Sequence, residues 1–319
     1  MTDHSPFNSK RRLALPAALL LAIAVFALCA IQARRPEPFT VSFLDVGQGD
    51  AALISAGENQ VLVDAGPDSS VLSGLGAAMP FFDRTIELAV LTHPHADHYT
   101  GFLAVLRRYR IRTMILPEYA AQSPDYRRLL EAVRDDGTAV TLLDCGEKAA
   151  VGGMTLHVLR PCRGHAQSAD PNEESLVLRV SGPDGGTVLL TGDLPGASGE
   201  VEAAAAPGEW QAELLKVPHH GSRTGATAAF LKLVQPTAAV ISVGKRNTYG
   251  HPSPAVLERL DSLGIRIWRT DRDGTVTAVW GPGGFRVSTT VKPPQTSAAR
   301  LPFQHQSDNF RSSFAKERQ

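Results

Sequence analysis

The chain has 319 residues, 43% of them hydrophobic and 20% charged, proportions that indicate a globular body and exclude a largely disordered protein. Its 32 basic and 32 acidic residues cancel, which excludes a global basic field for nucleic acid but leaves local patches open. Three cysteines do not make a disulfide framework, because Cys29 lies in an N-terminal apolar run; Cys145 and Cys162 remain an optional pair.

The N-terminus joins a basic start to a long apolar run. Residues 1–12 are polar and end in Lys10-Arg11-Arg12, and residues 13–31 carry no charge, which is long enough for one membrane-spanning helix. We predict a transmembrane anchor or signal sequence over residues 13–33, with a poor cleavage pattern favouring the uncleaved anchor. Because basic residues stay inside, the body is expected outside the cytoplasm, membrane-anchored or exported, although Arg34 and Arg35 oppose this orientation.

Residues 37–290 form one body of alternating strand and helix patterns, and residues 291–319 are predicted to be a disordered tail rich in Pro, Gln, Ser and charge. Strands are predicted at 40–46, 51–55, 60–64, 86–91, 111–116, 140–143, 155–159, 175–180, 187–190, 213–217 and 238–243, with three more to about residue 289. Helices are predicted at 99–109, 125–134, 197–206, 227–234 and 254–263. This order predicts two sheets covered by helices, with other α+β layouts open.

Four candidate metal ligands leave the end of one predicted strand together, on the loop after Leu91. They are His93, His95, Asp97 and His98. Imidazoles and a carboxylate are ligands that zinc accepts, and thiolates are absent here. The alternative is a solvated turn, but a turn does not need three histidines and an aspartate within six residues. The loop therefore predicts a metal site.

The second half repeats this arrangement at other strand ends. Asp193 follows one apolar strand and is either a ligand or a turn cap, and His219-His220 follow another. Adjacent side chains on an extended segment point to opposite faces, so one histidine is expected to bind metal, with His219 favoured. His251 is a candidate proton donor, substrate contact or missing ligand, or a chance histidine before a helix.

Six segments together resemble the metallo-β-lactamase-like hydrolases, and within them the hydrolase domain of the ComEC-type competence proteins and its stand-alone relatives. They are residues 43–50, 61–66, 92–98, 189–193, 215–222 and 247–252, in the family's order within residues 39–285. The resemblance implies an α/β/β/α sandwich. It also implies a divalent metal centre, with one or two zinc ions expected and manganese as the alternative.

The resemblance further implies roles for residues. His93 and His95 would hold one cation and Asp97 and His98 the other, with Asp193 bridging them and His219 completing the second. Asp64, and with it Asp45, would support the ligands by hydrogen bonds, the alternative for Asp64 being a turn residue. Apart from the resemblance, Lys216, Ser222, Arg223 and Asn247 lie beside the expected site in the sequence, where they would either hold a substrate phosphate or be ordinary exposed side chains. One departure from the wider family leaves the number of metal ions open. Many members supply a further histidine to the first metal between the two halves, but this chain resembles the ComEC-type pattern, with Asn172 and Ser175 in that place. His157 and His165 lie in the same interval, but in no matching segment.

These inferences predict a hydrolase in which metal-activated hydroxide attacks a phosphodiester, with Asp97, His220 and His251 in catalysis. The resemblance implies nuclease-like chemistry, with DNA and a membrane-channel protein as candidate partners. The alternatives are a cell-surface hydrolase of small-ester, choline-phosphate or β-lactam bonds, and a catalytically weak metal-binding recognition module.

Overall fold

The computed structural model describes residues 19–26, 38–118, 123–162, 168 and 170–291. Its strands are β1 (Thr40–Phe43), β2 (Ala52–Ala56), β3 (Asn59–Val63), β4 (Thr85–Val90), β5 (Arg110–Ile115), β6 (Ala139–Thr141), β7 (Lys148–Val151), β8 (Met154–Arg160), β9 (Val177–Gly182), β10 (Gly185–Leu190), β11 (Leu214–Lys216), β12 (Ala238–Ile241), β13 (Arg266–Arg269), β14 (Val276–Gly281) and β15 (Gly284–Thr289).

The helices lie between these strands and at the N-terminal end. They are α1 (residues 19–26), α2 (Val71–Ala78), α3 (Ala96–Tyr99), α4 (Phe102–Val105), α5 (Pro124–Asp136), α6 (Gly196–Ala205), α7 (Pro207–Trp210), α8 (Ala228–Val234), α9 (Pro254–Ser262) and α10 (Thr270–Asp273). Two 3₁₀ turns occupy Pro171–Glu174 and Pro218–Gly221.

Two sheets organise the body. The first has the order β15-β14-β1-β2-β3-β4-β5-β6 and the second the order β13-β12-β11-β10-β9-β8-β7. In the first sheet β3 to β6 run parallel, and in the second β10 to β13 do the same. Parallel neighbours place the carboxyl ends of their strands at one edge, and ligand sites form at such edges.

Strand residues alternate between two buried faces. On β3, Val61 and Val63 join a core shared with the second sheet, whereas Leu62 joins a separate core formed with α2 to α5. On β12, Val240 faces the shared core and Ile241 the core under α8 and α9. Burial on both faces explains why these strands are apolar throughout. The predicted α+β sandwich of two sheets covered by helices is confirmed.

Some predicted elements differ from those observed. The helix predicted over 99–109 is interrupted, because Gly101 donates its N–H to Gly66 O at 2.9 Å and packs against Ala65. A side chain at Gly101 would place Cβ 1.9 Å from the Ala65 carbonyl oxygen, so the chain approaches β3 more closely there than a continuous helix allows. Helix α2 and strand β7 were not predicted, since each is short and carries little hydrophobic periodicity.

Cys145 and Cys162 form a disulfide, with their Cα atoms 4.7 Å apart. The bond settles the pairing that the sequence left open, and it closes a loop around β7 and β8.

The terminal segments fall mostly outside the described residues. Of the predicted anchor over 13–33, residues 19–26 are described; they are helical and exposed. Among the residues that the structure describes, no helix has both the length and the apolar character needed to cross a bilayer. The predicted basic segment 1–12 and, apart from Val291, the predicted tail 291–319 lie outside the described part of the chain.

Candidate metal centre

Strand ends from both sheets meet at one place. Asp64 follows β3, the His93–His98 loop follows β4, Asp193 follows β10, and the histidine doublet follows β11. Since β3 and β4 are parallel in one sheet and β10 and β11 in the other, their carboxyl ends bring these side chains together. The predicted convergence of the two halves is therefore present.

Asp64 holds the first loop in place. One carboxylate oxygen accepts from the Thr92 backbone N–H at 2.8 Å, and the other accepts from the Thr92 hydroxyl at 2.8 Å. The second oxygen also accepts from His98 Nδ1 at 2.8 Å. This bond requires the Nδ1–H of His98, so in the neutral ring Nε2 carries the free lone pair and faces the centre.

His93 and His95 lie side by side at the start of the loop. His93 is fully buried, and its Nε2 lies 3.1 Å from Nδ1 of half-buried His95 and 3.9 Å from Asp193 Oδ2. The other nitrogen of His93 contacts the Thr92 hydroxyl at 3.0 Å, which fixes the ring. Two imidazole nitrogens and a carboxylate oxygen therefore face each other here.

Asp193 is central to the cluster. Its Oδ1 lies 3.5 Å from His98 Nε2, and its Oδ2 lies 3.4 Å from His220 Nε2. Its backbone N–H donates to Ser175 Oγ at 3.2 Å, so Ser175 supports the Asp193 turn. His157, one of the two histidines that we considered for the further ligand, lies on β8 with a half-buried side chain; His165 is outside the described residues.

The histidine doublet differs from the expected extended geometry. His219 and His220 have φ values of 50° and 52°, both in the left-handed region, so the alternation of an extended strand does not apply. His220 is buried, donates from Nδ1 to the Ser242 carbonyl at 3.0 Å, and places Nε2 3.3 Å from Asp97 Oδ2. His219 is 30% exposed, with Nε2 3.9 Å from Asp193 Oδ2. The structure thus places His220 closest to the other ligand atoms, where the sequence favoured His219.

Lys216 also differs from its predicted role. Instead of facing a substrate phosphate, its ammonium is buried, donates to Gly192 O at 2.9 Å, pairs with Asp50 and lies 3.6 Å from Asp193 Oδ1. A long basic side chain after an apolar pair looks exposed in sequence, but here all three β11 residues are buried. Asp50 was not predicted as part of the centre, although the Gly-Gln-Gly turn before it indicates a fixed loop.

Opposite charges shift the pKa values in this cluster. Burial raises the pKa of Asp50, but Lys216 and His220 outweigh burial and lower it to about 2. Burial disfavours imidazolium, yet Asp193 raises the pKa of both His98 and His220 well above 6.5. The pKa of Asp193 falls well below 3.8 in turn, despite burial, through His220 and His98. The Asp50 and Asp193 carboxylates are thus charged, whereas burial raises the pKa of Asp64. A proton and a cation would compete for Nε2 of His98 and of His220.

The remaining predicted residues lie around the centre. Asp45 is exposed, and its carboxylate accepts a hydrogen bond from the Gly47 N–H instead of supporting a metal ligand. Asn247 uses both ends of its amide on the backbone, donating to His251 O at 2.8 Å and accepting from His251 N at 3.0 Å. Arg223 is exposed, whereas Ser222 is buried with its hydroxyl 3.3 Å from that of Thr224.

His251 stands on the open side of the cluster. Its ring centroid lies 6.0 Å from that of His219 and 5.9 Å from that of Tyr249, with which it is stacked. Burial, and then the neighbouring His219, lower the pKa of His251, and burial likewise lowers the pKa of His219. Both rings are therefore neutral near pH 7 in the metal-free site, and the role of His251 as proton donor, substrate contact or ligand stays a prediction.

Comparison with known proteins decides the family. The sequence profile described as "Metallo-beta-lactamase superfamily" matches residues 44–245, which contain most of the centre. The chain belongs to this superfamily. A solved structure, "Igni18, a novel metallo hydrolase" from the archaeon Ignicoccus hospitalis, superposes with a TM-score of 0.51 at 16% identity, covering 75% of this chain and 98% of that one. At that identity the likeness supports the fold alone.

Curated relatives of this superfamily member include competence proteins. "ComE operon protein 3" of Bacillus subtilis is 31% identical over 257 residues, which is 74% of this chain and 32% of the relative. "Competence protein ComA" of Neisseria gonorrhoeae is 31% identical over 293 residues, 86% of this chain and 39% of the relative. The chain thus spans between about a third and two fifths of the length of these relatives.

The donor set fits the divalent metal that the superfamily implies. Among the described residues, four groups of three His and Asp side chains bring their ligand atoms within 4.8 Å of one another, and every group contains His98 or His220. Four buried atoms in these groups make no hydrogen bond. They are Asp50 Oδ1, His98 Nε2, Asp193 Oδ1 and His220 Nε2. Buried polar atoms without partners are costly, and a cation would satisfy them.

Proposed function

We propose that this chain is a metal-dependent hydrolase that cleaves phosphodiester bonds in nucleic acid. The observation that carries the proposal is the buried set of unpartnered ligand atoms assembled from both sheets. Asp97, His98 and His220 would hold one cation and His93 and His95 another, with Asp193 between them. Zinc suits this nitrogen and oxygen donor set, and manganese is the alternative.

A divalent cation held here supplies Lewis acidity and a nucleophile at neutral pH. The chain contributes orientation: Asp64 fixes the ring of His98, and the Ser242 carbonyl fixes the ring of His220. The Lys216 ammonium pairs with the Asp50 carboxylate and balances its negative charge within the buried cluster. His219 and His251, neutral and partly exposed, lie where they can hydrogen-bond the oxygens of the scissile group.

The loop beside His251 supports nucleic acid as the substrate class. Lys245, Arg246 and Tyr249 are exposed on it, and the Tyr249 ring, 70% exposed, stacks on His251. A basic side chain attracts a phosphate backbone, and an exposed aromatic ring next to a hydrolytic site can stack an unpaired base. The names of the competence relatives agree with DNA as this substrate, and by analogy with a membrane-channel partner.

We also propose that the body acts outside the cytoplasm, anchored or exported by residues 13–33. The Cys145–Cys162 disulfide supports this location, because such bonds persist mainly in oxidising compartments.

Metal analysis with hydrolysis assays tests the proposed function. His95→Ala is expected to lower the bound metal per chain and to reduce turnover of bis(4-nitrophenyl) phosphate and single-stranded DNA about 100-fold or more, because it removes one side of the cluster. His157→Ala, which removes a histidine on β8, is the matched control and should change neither. Unchanged metal content in His95→Ala would remove this loop from the site. Metal binding by the wild type without turnover of either substrate would instead favour a recognition module.

A further inference from the structure

An arginine-lined cavity lies at the other end of the first sheet. Its volume is about 630 Å³, and its walls come from the α4–β5 connection, β5 and the end of α5. The basic residues among its walls are Arg107, Arg108, Arg110 and Arg112, all with exposed side chains. Strand β5 begins at Arg110, so the cavity is at the amino end of a strand whose carboxyl end faces the metal centre, about 20 Å away for six residues.

The positive charge of this cavity is largely unpaired. Among the described residues, no carboxylate lies within ion-pair distance of Arg107, Arg108 or Arg110; Arg112 lies 3.7 Å from Glu87. The one acidic wall residue, Asp136, already accepts the Thr138 hydroxyl at 2.6 Å. Four arginines and one aspartate line this cavity, although the chain as a whole has no net charge.

We propose that this cavity binds a compact, multiply charged phosphate anion of about nucleotide size. Guanidinium groups bind phosphate through paired N–H donors, and several of them around one concave volume favour an anion with more than one phosphate. The volume lies within the range of about 300–1,000 Å³ that is typical of small-molecule sites. All four arginines lie between residues 107 and 112, so the positive charge is confined to one place, whereas a nucleic-acid strand requires a basic groove that continues along its backbone.

Isothermal titration with inorganic pyrophosphate tests the site, using the full chain at fixed ionic strength. The double substitution Arg108→Gln with Arg110→Gln is expected to weaken pyrophosphate binding at least about tenfold, since each lost contact is a charge-assisted hydrogen bond. The matched control removes two exposed arginines elsewhere, by Arg266→Gln with Arg272→Gln, and should bind as the wild type does. Arg108→Lys with Arg110→Lys keeps the charge but loses the paired donors, so intermediate binding is expected.

A fluorescent oligonucleotide, titrated in parallel, distinguishes the two sources of phosphate. If the cavity double variant and the control double variant weaken pyrophosphate binding equally, the proposal is overturned, because binding then depends only on the overall charge of the chain. Loss of oligonucleotide binding with pyrophosphate binding unchanged would also overturn it, and would make the cavity part of a nucleic-acid surface. Circular dichroism and thermal unfolding of each variant verify folding. Because binding is read without turnover, this result is independent of whether the chain hydrolyses phosphodiesters.

Discussion

The β4 loop and the β11 loop deliver histidines to the same cluster through different backbone geometries. The β4 loop leaves its strand extended at His95 and then enters α3, so no residue from Thr92 to His98 has a positive φ. The β11 loop places both His219 and His220 in the left-handed region, which costs non-glycine residues of order 1–3 kcal/mol each. Both loops are held by tertiary contacts, the first by Asp64 and the second by the His220–Ser242 hydrogen bond, but only the second must also offset unfavourable backbone torsions.

Separate alanine substitutions in the doublet give the largest expected effect. His220→Ala should reduce kcat for bis(4-nitrophenyl) phosphate about 1,000-fold and lower the bound metal, because its Nε2 faces both Asp97 and Asp193. His219→Ala should reduce kcat only about tenfold and leave the metal content unchanged, since the ring lies on the open side. Steady-state kinetics and elemental analysis measure both quantities. Equal losses for the two variants would refute the unequal roles of the doublet.

Lys216→Met tests whether the β11 side of the cluster needs its buried ammonium. The substitution leaves the Asp50 carboxylate buried beside Asp193 without its strongest partner, so the free energy of unfolding of the metal-free protein should fall by about 3 kcal/mol. Lys232→Met, on the exposed face of α8, is the control and should change it by less than about 0.5 kcal/mol. Urea unfolding followed by circular dichroism measures both, and a Lys216→Met protein as stable as wild type would contradict this role.

Gly49→Ala changes the β1–β2 loop, which packs against the loop after β4. Gly49 has φ +136°, and an added Cβ would lie 2.1 Å from the Asp97 carbonyl oxygen, so the β1–β2 loop must move away from the metal loop. We expect a loss of about 2 kcal/mol in the free energy of unfolding and weaker metal binding. Gly76→Ala in α2, where nothing lies within 4 Å of the added Cβ, is the control and should leave stability unchanged or slightly higher. Thermal unfolding is the measurement, and similar midpoints for both variants would disprove the close packing.

The pH dependence of the metal-free protein gives the smallest effect. Asp50 has its pKa lowered from 3.8 to about 2, so its contribution is present above pH 3.8 and is lost as the pH falls towards 2. His98 and His220 have pKa values raised above 6.5, so their contribution is full below pH 6.5 and declines as the pH rises through the folded pKa. His219 and His251 have lowered pKa values, so their burial costs stability as the pH falls below 6.5, and stability in chelator should therefore peak near pH 6.5. Denaturant titrations across pH 2–9 check this, and a maximum above pH 8 would contradict it.

Much of the first loop was predictable from sequence and much of the second was not. The ligands from His93 to His98 follow one apolar strand within six residues, so local pattern alone brings them together. The orientation of His219 and His220 depends on left-handed backbone torsions, which no residue-type pattern at non-glycine positions indicates. Asp50 and Lys216 enter the centre from different sheets, and only the packing of those sheets shows that they pair.

The positions of most strands along the chain were also predictable. Apolar runs located most strands of the body, because both faces of each sheet are buried. The break between α3 and α4 depends on the close approach of Gly101 to β3, a contact between residues far apart in the sequence.

Because its ligands come from both sheets, a cation at this centre would link the two sheets of the sandwich. An ion that binds only the folded protein raises the free energy of unfolding by mass action, by about 2.7 kcal/mol when its concentration is one hundred times its dissociation constant. Metal supply would then set the stability of the folded body as well as the activity of the site.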